Sequence, residues 1–519
     1  MRKIGLVLGL VALTAVGCGG AAEPEESSVV ARPTTAISTP QGLGLGTGRH
    51  IVVFKSATLP TDAASRIANA GAKAKANVSS IGVAIVEGNA AAIAKLASDG
   101  AVAAVGPEHS WNLPKIAHKK KAAALASTAP DFLWGAQWDQ RRIKANVAWN
   151  NVPASAQSSV TVAVLDTGVQ STHPDLAGKI VDSVVTSYAG SVFNCPGPHQ
   201  PDPAYPFYFS RINTITGDMC EFVADGESVQ AHGTHVAGTI AGNYGGGLYE
   251  PYGFPGGIVG VAPSANIAAY KVFDRVVVQT PNGPEEFVTA TDYALFTAIA
   301  DAASKGRAVI NMSLGGAVDR TNPEDNASWV AWNRVARLAT QKGTLIVAAA
   351  GNENANNNGS LAFIPSDLPG VVSVSATGSS NLQGGAFPFG PYDAAQGSDV
   401  RAFYSNFGAA VNLAAPGGDC GPAFDGTGAS CDPRYLIVSS VPAWDPANGS
   451  VDPYEPGWSW YAGTSMAAPH VAGVAALVKA KNPSFTPSQI RARLEQTATP
   501  LGNRQAFGKG LVDADLATR

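Results

Sequence analysis

Beyond residue 131, apolar residues run almost unbroken through five short stretches: SVTVAVLD ending at Asp166, NIAAYKVF from Asn266, RAVINMSL from Arg307, GTLIVAAAG from Gly343 and GVVSVSAT from Gly370. A strand that is apolar at every position, rather than every second one, is covered on both faces, as parallel strands are. Helical periodicity fills residues 290–305 and 329–342 between some of these stretches. The pattern predicts an α/β fold built on a doubly wound, mostly parallel sheet. In such sheets functional residues collect beyond the carboxyl ends of the strands.

The N-terminal part has a different rhythm. RHIVVFK (49–55) predicts a strand, residues 61–70 a helix capped by Thr61 or Asp62, and VSSIGVAIVEG (78–88) a second strand. An Ala-rich helix follows from Asn89 to Ser98, and AVAAVGPEHSW (101–111) closes the series as a strand. This order predicts a small ferredoxin-like α+β domain over 49–112, ahead of a large domain over 131–519. Residues 21–48, rich in Glu, Ser, Thr, Pro and Gly, read as a flexible tether. Residues 113–130 read as a linker whose His-Lys-Lys-Lys run is a solvated, cleavable stretch. Two insertions, Val184–Val229 and Gly417–Trp458, interrupt the large domain.

One helical stretch is apolar on every side. In GTSMAAPHVAGVAALV, Gly463–Val478, His470 is the only polar residue after Ser465, which suits a helix buried all round. A capping role would account for Thr464 and Ser465 by themselves. A catalytic role for Ser465 requires a base, a group that orients the base, and an oxyanion donor elsewhere in the chain.

Composition narrows the choices. The chain has 519 residues, 45% hydrophobic and 14% charged, enough for a large core. Its 39 acidic and 35 basic residues leave a formal charge of -4, which excludes the footprint of a nucleic-acid binder. Residues 1–20 carry Arg2 and Lys3 ahead of an apolar run and read as a signal peptide, which implies export. Cys18 follows Ala-Val-Gly, which resembles a bacterial lipobox, with Ala15 where Leu is usual. With Cys18 set aside, Cys195, Cys220, Cys420 and Cys431 suggest two disulfides, and Cys195–Cys220 with Cys420–Cys431 is the simplest of the three connectivities. No CxxC or His/Cys cluster points to zinc.

The required partners have candidates. Asp166 ends an apolar strand, His232 and His235 open the small-residue stretch HGTHVAGTIAG, and Asn352 ends LIVAAAGN. Each alone reads as a turn former, a cap or a loop residue; all occur together, in this order.

On these residues the chain resembles the subtilisin-family (subtilase) serine proteases. VLDTGVQSTHPDL is similar to the family's aspartate motif, HGTHVAGTIAG to its histidine motif, AAAGN to its oxyanion segment and GTSMAAPHVAGVAALV to its serine motif. FGKGLVDA (507–514) resembles the family's closing segment. The resemblance covers roughly 131–519 outside the insertions. It implies Ser465 as nucleophile, His232 as general base and then acid, Asp166 as its orienter and Asn352 as oxyanion donor. A serine hydroxyl needs a neutral imidazole to take its proton, and a buried carboxylate fixes the tautomer. His470 is a poor rival base, lying about 140° from Ser465 around a helix axis. His235 and His173 are expected to be structural.

The resemblance implies more. Ser313, Leu314 and Gly315 in INMSLGG match the edge on which the family aligns extended polypeptide substrates as an added strand. Phe363 is expected near the specificity pocket, narrowing it. The 49–112 domain resembles an inhibitory propeptide, so the protein would be a self-processing zymogen of an exported serine endopeptidase, cut within 113–130. No cofactor is needed for the chemistry, but Gln137 and Asp175 match two ligand positions of a structural calcium site, while the loop after the histidine stretch departs from the family pattern. The implied place is the outside of a bacterium, secreted or anchored as a surface lipoprotein. A catalytically silent relative would show decay in at least one motif. A sedolisin-type acid peptidase shares the serine motif but uses an acidic base, against which His232 and Asn352 argue.

Overall fold

The computed structural model describes residues 47–113, 131, 133–187, 231–245, 257–280, 283–385, 390–427, 430–445 and 450–519, with short strands at 118–121, 200–201, 208–212 and 219–223. The signal segment, Cys18, the tether, the Cys195–Cys220 pairing and most of the 113–130 linker lie outside the described residues.

Four antiparallel strands form the N-terminal layer: β1 (His50–Phe54), β2 (Lys73–Val78), β3 (Val83–Glu87) and β4 (Val102–Pro107), side by side in the order β2-β3-β1-β4. Helices α1 (Ala63–Ala70) and α2 (Ala90–Ala97) complete the β-α-β-β-α-β order of a ferredoxin-like unit. Val52, Phe54, Ala84 and Val86 face these helices, packing on Ile67 and Leu96. Ile51, Val53, Val83 and Ile85 face the other way, into a core shared with the large domain. The single strand expected over 78–88 is two elements. Gly82, at φ 66°, turns the chain, and a Cβ there would meet the Ser56 carbonyl at 2.5 Å, so β3 starts beyond it and β2 precedes it.

The central sheet has eight strands. Seven run in the order Asp399–Arg401, Val372–Ser379, Leu345–Ala349, Val309–Met312, Thr161–Asp166, Asn266–Lys271 and Ile180–Val185, with Leu413–Pro416 beside Val372–Ser379. All pairings are parallel except that of Asp399–Arg401. Alternate residues explain why the strands read as wholly apolar: Val162 and Val164 enter one core, Ala163 and Leu165 the other. The first core holds the helices His232–Ala241 and Thr464–Lys481, and the second holds Asp292–Ser304 and Asn326–Gln341 together with the inner face of the N-terminal sheet. The sheet is therefore wound on both faces, and its order turns back at Thr161–Asp166, between Asn266–Lys271 and Val309–Met312. Ligand sites form at such a switch point.

Most of the second insertion lies within the described residues. It carries the Cys420–Cys431 disulfide and then a long antiparallel pair, Ile437–Asp445 with Ser450–Ala462, which runs directly into Gly463. Two short segments extend flanking sheets. Strand β5 (Ser110–Asn112) pairs with Gly283–Thr291, and β6 (His118–Lys121), expected to be a solvated linker, pairs antiparallel with Ser459–Ala462. Residues 118–121 thus take the conformation of a third strand beside Ile437–Asp445 and Ser450–Ala462, their backbone groups paired with those of Ser459–Ala462.

Candidate active site

Asp166 is the last residue of its strand, fully buried, at the switch point. Its carboxylate accepts the Thr167 N–H at 2.8 Å and faces Nδ1 of His232, with Oδ1 at 2.8 Å and Oδ2 at 3.0 Å. His232 opens its helix, and Gly233 lets the helix come this close: a Cβ there would meet the Gly168 carbonyl at 2.2 Å and the Asp166 Cβ at 3.1 Å. With Nδ1 held by the carboxylate, the ring presents Nε2 on its opposite edge, the arrangement a serine base needs.

Ser465 is the second residue of the helix Thr464–Lys481, which packs against the histidine helix. Its hydroxyl donates to the Ser313 carbonyl at 3.2 Å, and the Ser313 hydroxyl donates in turn to the Ser465 carbonyl at 2.7 Å. Ser465 is 2% exposed. A helix start brings backbone N–H groups and the positive end of the dipole to this hydroxyl.

Asn352 is oriented by Thr464. The Thr464 backbone N–H (2.9 Å) and hydroxyl (2.8 Å) both donate to Asn352 Oδ1. With the oxygen fixed, Nδ2 lies on the far side, over Gly463, where an added Cβ would sit 3.4 Å from it. The φ of Gly463 is 165°, ordinary extended backbone, so what glycine contributes here is open space before the amide. The clamp by Thr464 was not anticipated from the sequence; its only signal there is adjacency to Ser465.

Ser313, Leu314 and Gly315 follow the strand Val309–Met312. Leu314, Gly315, Ala350, Gly351 and Phe363 help line a shallow, open cleft. Phe363 stands in the wall of this cleft, on a strand (Leu361–Ile364) paired with Gly316–Asp319.

Three further histidines, His470, His235 and His173, are held in structural roles. His470 bridges the Met466 carbonyl and the Asp139 carboxylate, each at 2.8 Å. His235 stacks on Tyr461 at 4.5 Å and meets the Ile437 carbonyl at 3.1 Å; burial pushes it down to about 3, so it stays neutral. His173 accepts the Asp175 N–H at 3.2 Å and reaches the Gly457 carbonyl at 3.0 Å, and burial lowers its pKa.

Gln137 and Asp175 flank one stretch of backbone, 257–259, but with unexpected polarity. Gln137 accepts from the Val259 N–H and donates to the Val259 carbonyl, both at 2.8 Å. The Asp175 carboxylate, fully buried, is ringed by hydrogen-bond donors. These residues do not fit a cation. Among the described residues no group of three or more His, Cys, Asp or Glu is arranged to hold a metal, and no helix is long and apolar enough to cross a membrane.

A family model described as "Subtilase family" matches residues 157–510. Subtilisin NAT from Bacillus subtilis subsp. natto is 32% identical over 362 residues, spanning 70% of this chain and 66% of that relative's length. M-protease from Shouchella clausii (strain KSM-K16) is 32% identical over 410 residues, 78% of this chain and 75% of that relative. In fold, the chain is similar to the epidermin leader peptide processing serine protease from Staphylococcus aureus, with a TM-score of 0.63 at 21% identity, covering 91% of this chain and 97% of that one.

Proposed function

The chain belongs to the subtilase family, and from that premise we propose that it is an exported serine endopeptidase made as a self-processing zymogen. The observation that carries the reading is the buried Asp166–His232 pair, its carboxylate on Nδ1 at 2.8 and 3.0 Å, at the sheet's switch point. Ser465 Oγ attacks the substrate carbonyl carbon and its proton passes to His232 Nε2, while Asp166 stays ionised and stabilises the imidazolium. The oxyanion is held by the Ser465 backbone N–H and Asn352 Nδ2. His232 then protonates the leaving amine, and water repeats the sequence on the acyl-enzyme. Substrate is extended polypeptide, paired along Ser313–Gly315 with one side chain in the cleft walled by Phe363.

The N-terminal layer, 49–112, is the propeptide in this reading, and 113–130 holds the processing site. Backbone pairing supports it: the Leu113 N–H donates to the Val288 carbonyl at 2.7 Å, and β6 pairs up to Ala462, three residues before Ser465. The stretch between these two anchored strands is the first place to look for the cut. Ser465, 2% exposed, is covered in the intact chain. Residues 1–20 direct export, and Cys18 offers a site for a lipid anchor.

Intact mass of the wild type and of Ser465→Ala, both expressed with a standard signal peptide, tests the reading. A wild type trimmed within 113–130 beside an uncut variant is expected. Two uncut proteins would argue for a silent protein, and two cut ones for trimming by another protease.

A further inference from the structure

The subtilase resemblance assigns Gln137 and Asp175 to a structural calcium site, and the chemistry around them disagrees. Asp175 Oδ1 accepts the Gly257 N–H at 2.7 Å. Oδ2 accepts the Ile258 N–H at 3.3 Å, the Ser440 hydroxyl at 2.8 Å and the Trp458 indole N–H at 2.7 Å. A carboxylate offers about four lone-pair directions, and four donors converge on this one. Donor hydrogens present partial positive charge, so a divalent cation, which needs six to eight oxygens, would be repelled where it should be bound. Gln137 Oε1 is likewise taken by the Val259 N–H.

We infer that Asp175 is a metal-free anchor: the Trp458 indole N–H and its three companions neutralise the buried carboxylate where relatives of this sequence pattern hold calcium. The backbone is shaped for this. A Cβ on Gly257 would fall 1.9 Å from Trp458 Nε1, so the indole occupies space that any other residue at 257 would fill. Ser440 and Trp458 lie on the two strands of the hairpin Ile437–Asp445 and Ser450–Ala462, the second of which leads into Ser465. The anchor thus ties the serine-bearing hairpin to the segment that follows the histidine helix, and it does so without an exchangeable ion.

Thermal unfolding of the full-length Ser465→Ala chain, which cannot digest itself, is the test, run in excess chelator and in excess calcium. The inference predicts no difference between the two that depends on Asp175 or Ser440. A calcium site filled to a hundred times its Kd would separate the two by roughly 2–4 °C. Trp458→Phe in the same background removes one donor and is expected to lower Tm by roughly 1–3 °C, equally with and without calcium. A calcium-dependent rise in Tm that Ser440→Ala or Asp175→Asn abolishes would overturn the inference. A rise that both variants leave unchanged arises at other residues and agrees with a metal-free Asp175. Because unfolding is followed in an inactive chain, the result is independent of whether the proposed peptidase activity is found.

Discussion

An amide side chain offers an oxyanion only its nitrogen, so the oxyanion role proposed for Asn352 depends on what holds its oxygen. Two donors from Thr464 hold Oδ1, at 2.9 and 2.8 Å. Asn352→Ala is expected to lower kcat by roughly 10²–10³, the range known for losing this donor in the related subtilisin, with a smaller change in KM. Thr464→Val keeps the backbone donor and removes the hydroxyl; it is expected to lower kcat by roughly tenfold, the worth of one hydrogen bond, and leave KM in place. Steady-state kinetics on a peptide substrate separates the two, and a Thr464→Val enzyme equal to wild type would show that the backbone donor suffices. At this scale the sequence is most legible where a residue sits inside a long motif, as Asp166, His232, Asn352 and Ser465 do. Asp175 shows the opposite case. Its position resembles a calcium ligand, but its chemistry is decided by Trp458, 283 residues further along.

The ten residues of the histidine helix are all buried, and their small size is what lets the hairpin of the second insertion lie against them. A Cβ on Gly238 would meet the Ser439 hydroxyl at 2.5 Å and the Ser440 hydroxyl at 3.0 Å. Gly238→Ala should therefore push helix and hairpin apart, lowering stability by roughly 1–3 kcal/mol. It should also cut kcat by up to roughly 10², because His232 rides on the same helix and misplacement of a catalytic group by about 1 Å has that cost. Calorimetry and kinetics on the variant check both; an unchanged kcat would mean the helix position is set elsewhere. The central strands were legible because alternate residues face two cores, which leaves an unbroken apolar run. The strand Lys73–Val78 was not, since KAKANV holds a single buried residue, its last. Nor was the hairpin Ile437–Asp445 with Ser450–Ala462: its far end is rich in Pro, Asp and Gly, while the residues that enter the core, such as Ile437, Val438, Trp460 and Tyr461, stand at its near end.

At the scale of the whole molecule, the question is how the N-terminal layer is held and what would release it as the proposed propeptide. His109, just beyond β4, reaches across to the large domain and is buried between Asp292 (Nδ1–Oδ2 3.3 Å) and Asp325 (Nε2–Oδ1 3.0 Å), at the starts of two helices. Asp292 also accepts from Trp111, Ser328 and Trp332, and Asp325 from the Asp319 N–H. Next to it Glu108 pairs with Arg49 at 2.6 Å and accepts the Tyr293 N–H. Burial alone would lower the His109 pKa, but the two carboxylates outweigh it and push it up to about 10. A group raised on docking contributes its full stabilisation below its ordinary value of 6.5 and loses it as pH climbs to about 10. Asp325 is lowered, burial opposing and the His109 hydrogen bond prevailing, so its contribution fades only in acid, below the usual carboxylate range. The grip on the N-terminal layer should thus weaken steadily from near-neutral to alkaline pH. After processing, the lag before activity appears should shorten as pH rises from about 6.5 toward 10 in the wild type. His109→Gln, which leaves two buried carboxylates without their cation, should lose roughly 3–5 kcal/mol of this grip and show a short lag at every pH. Lags that run parallel in the two proteins would mean that release is governed by the β5 and β6 pairings, and that the His109 bridge only shapes the core it sits in.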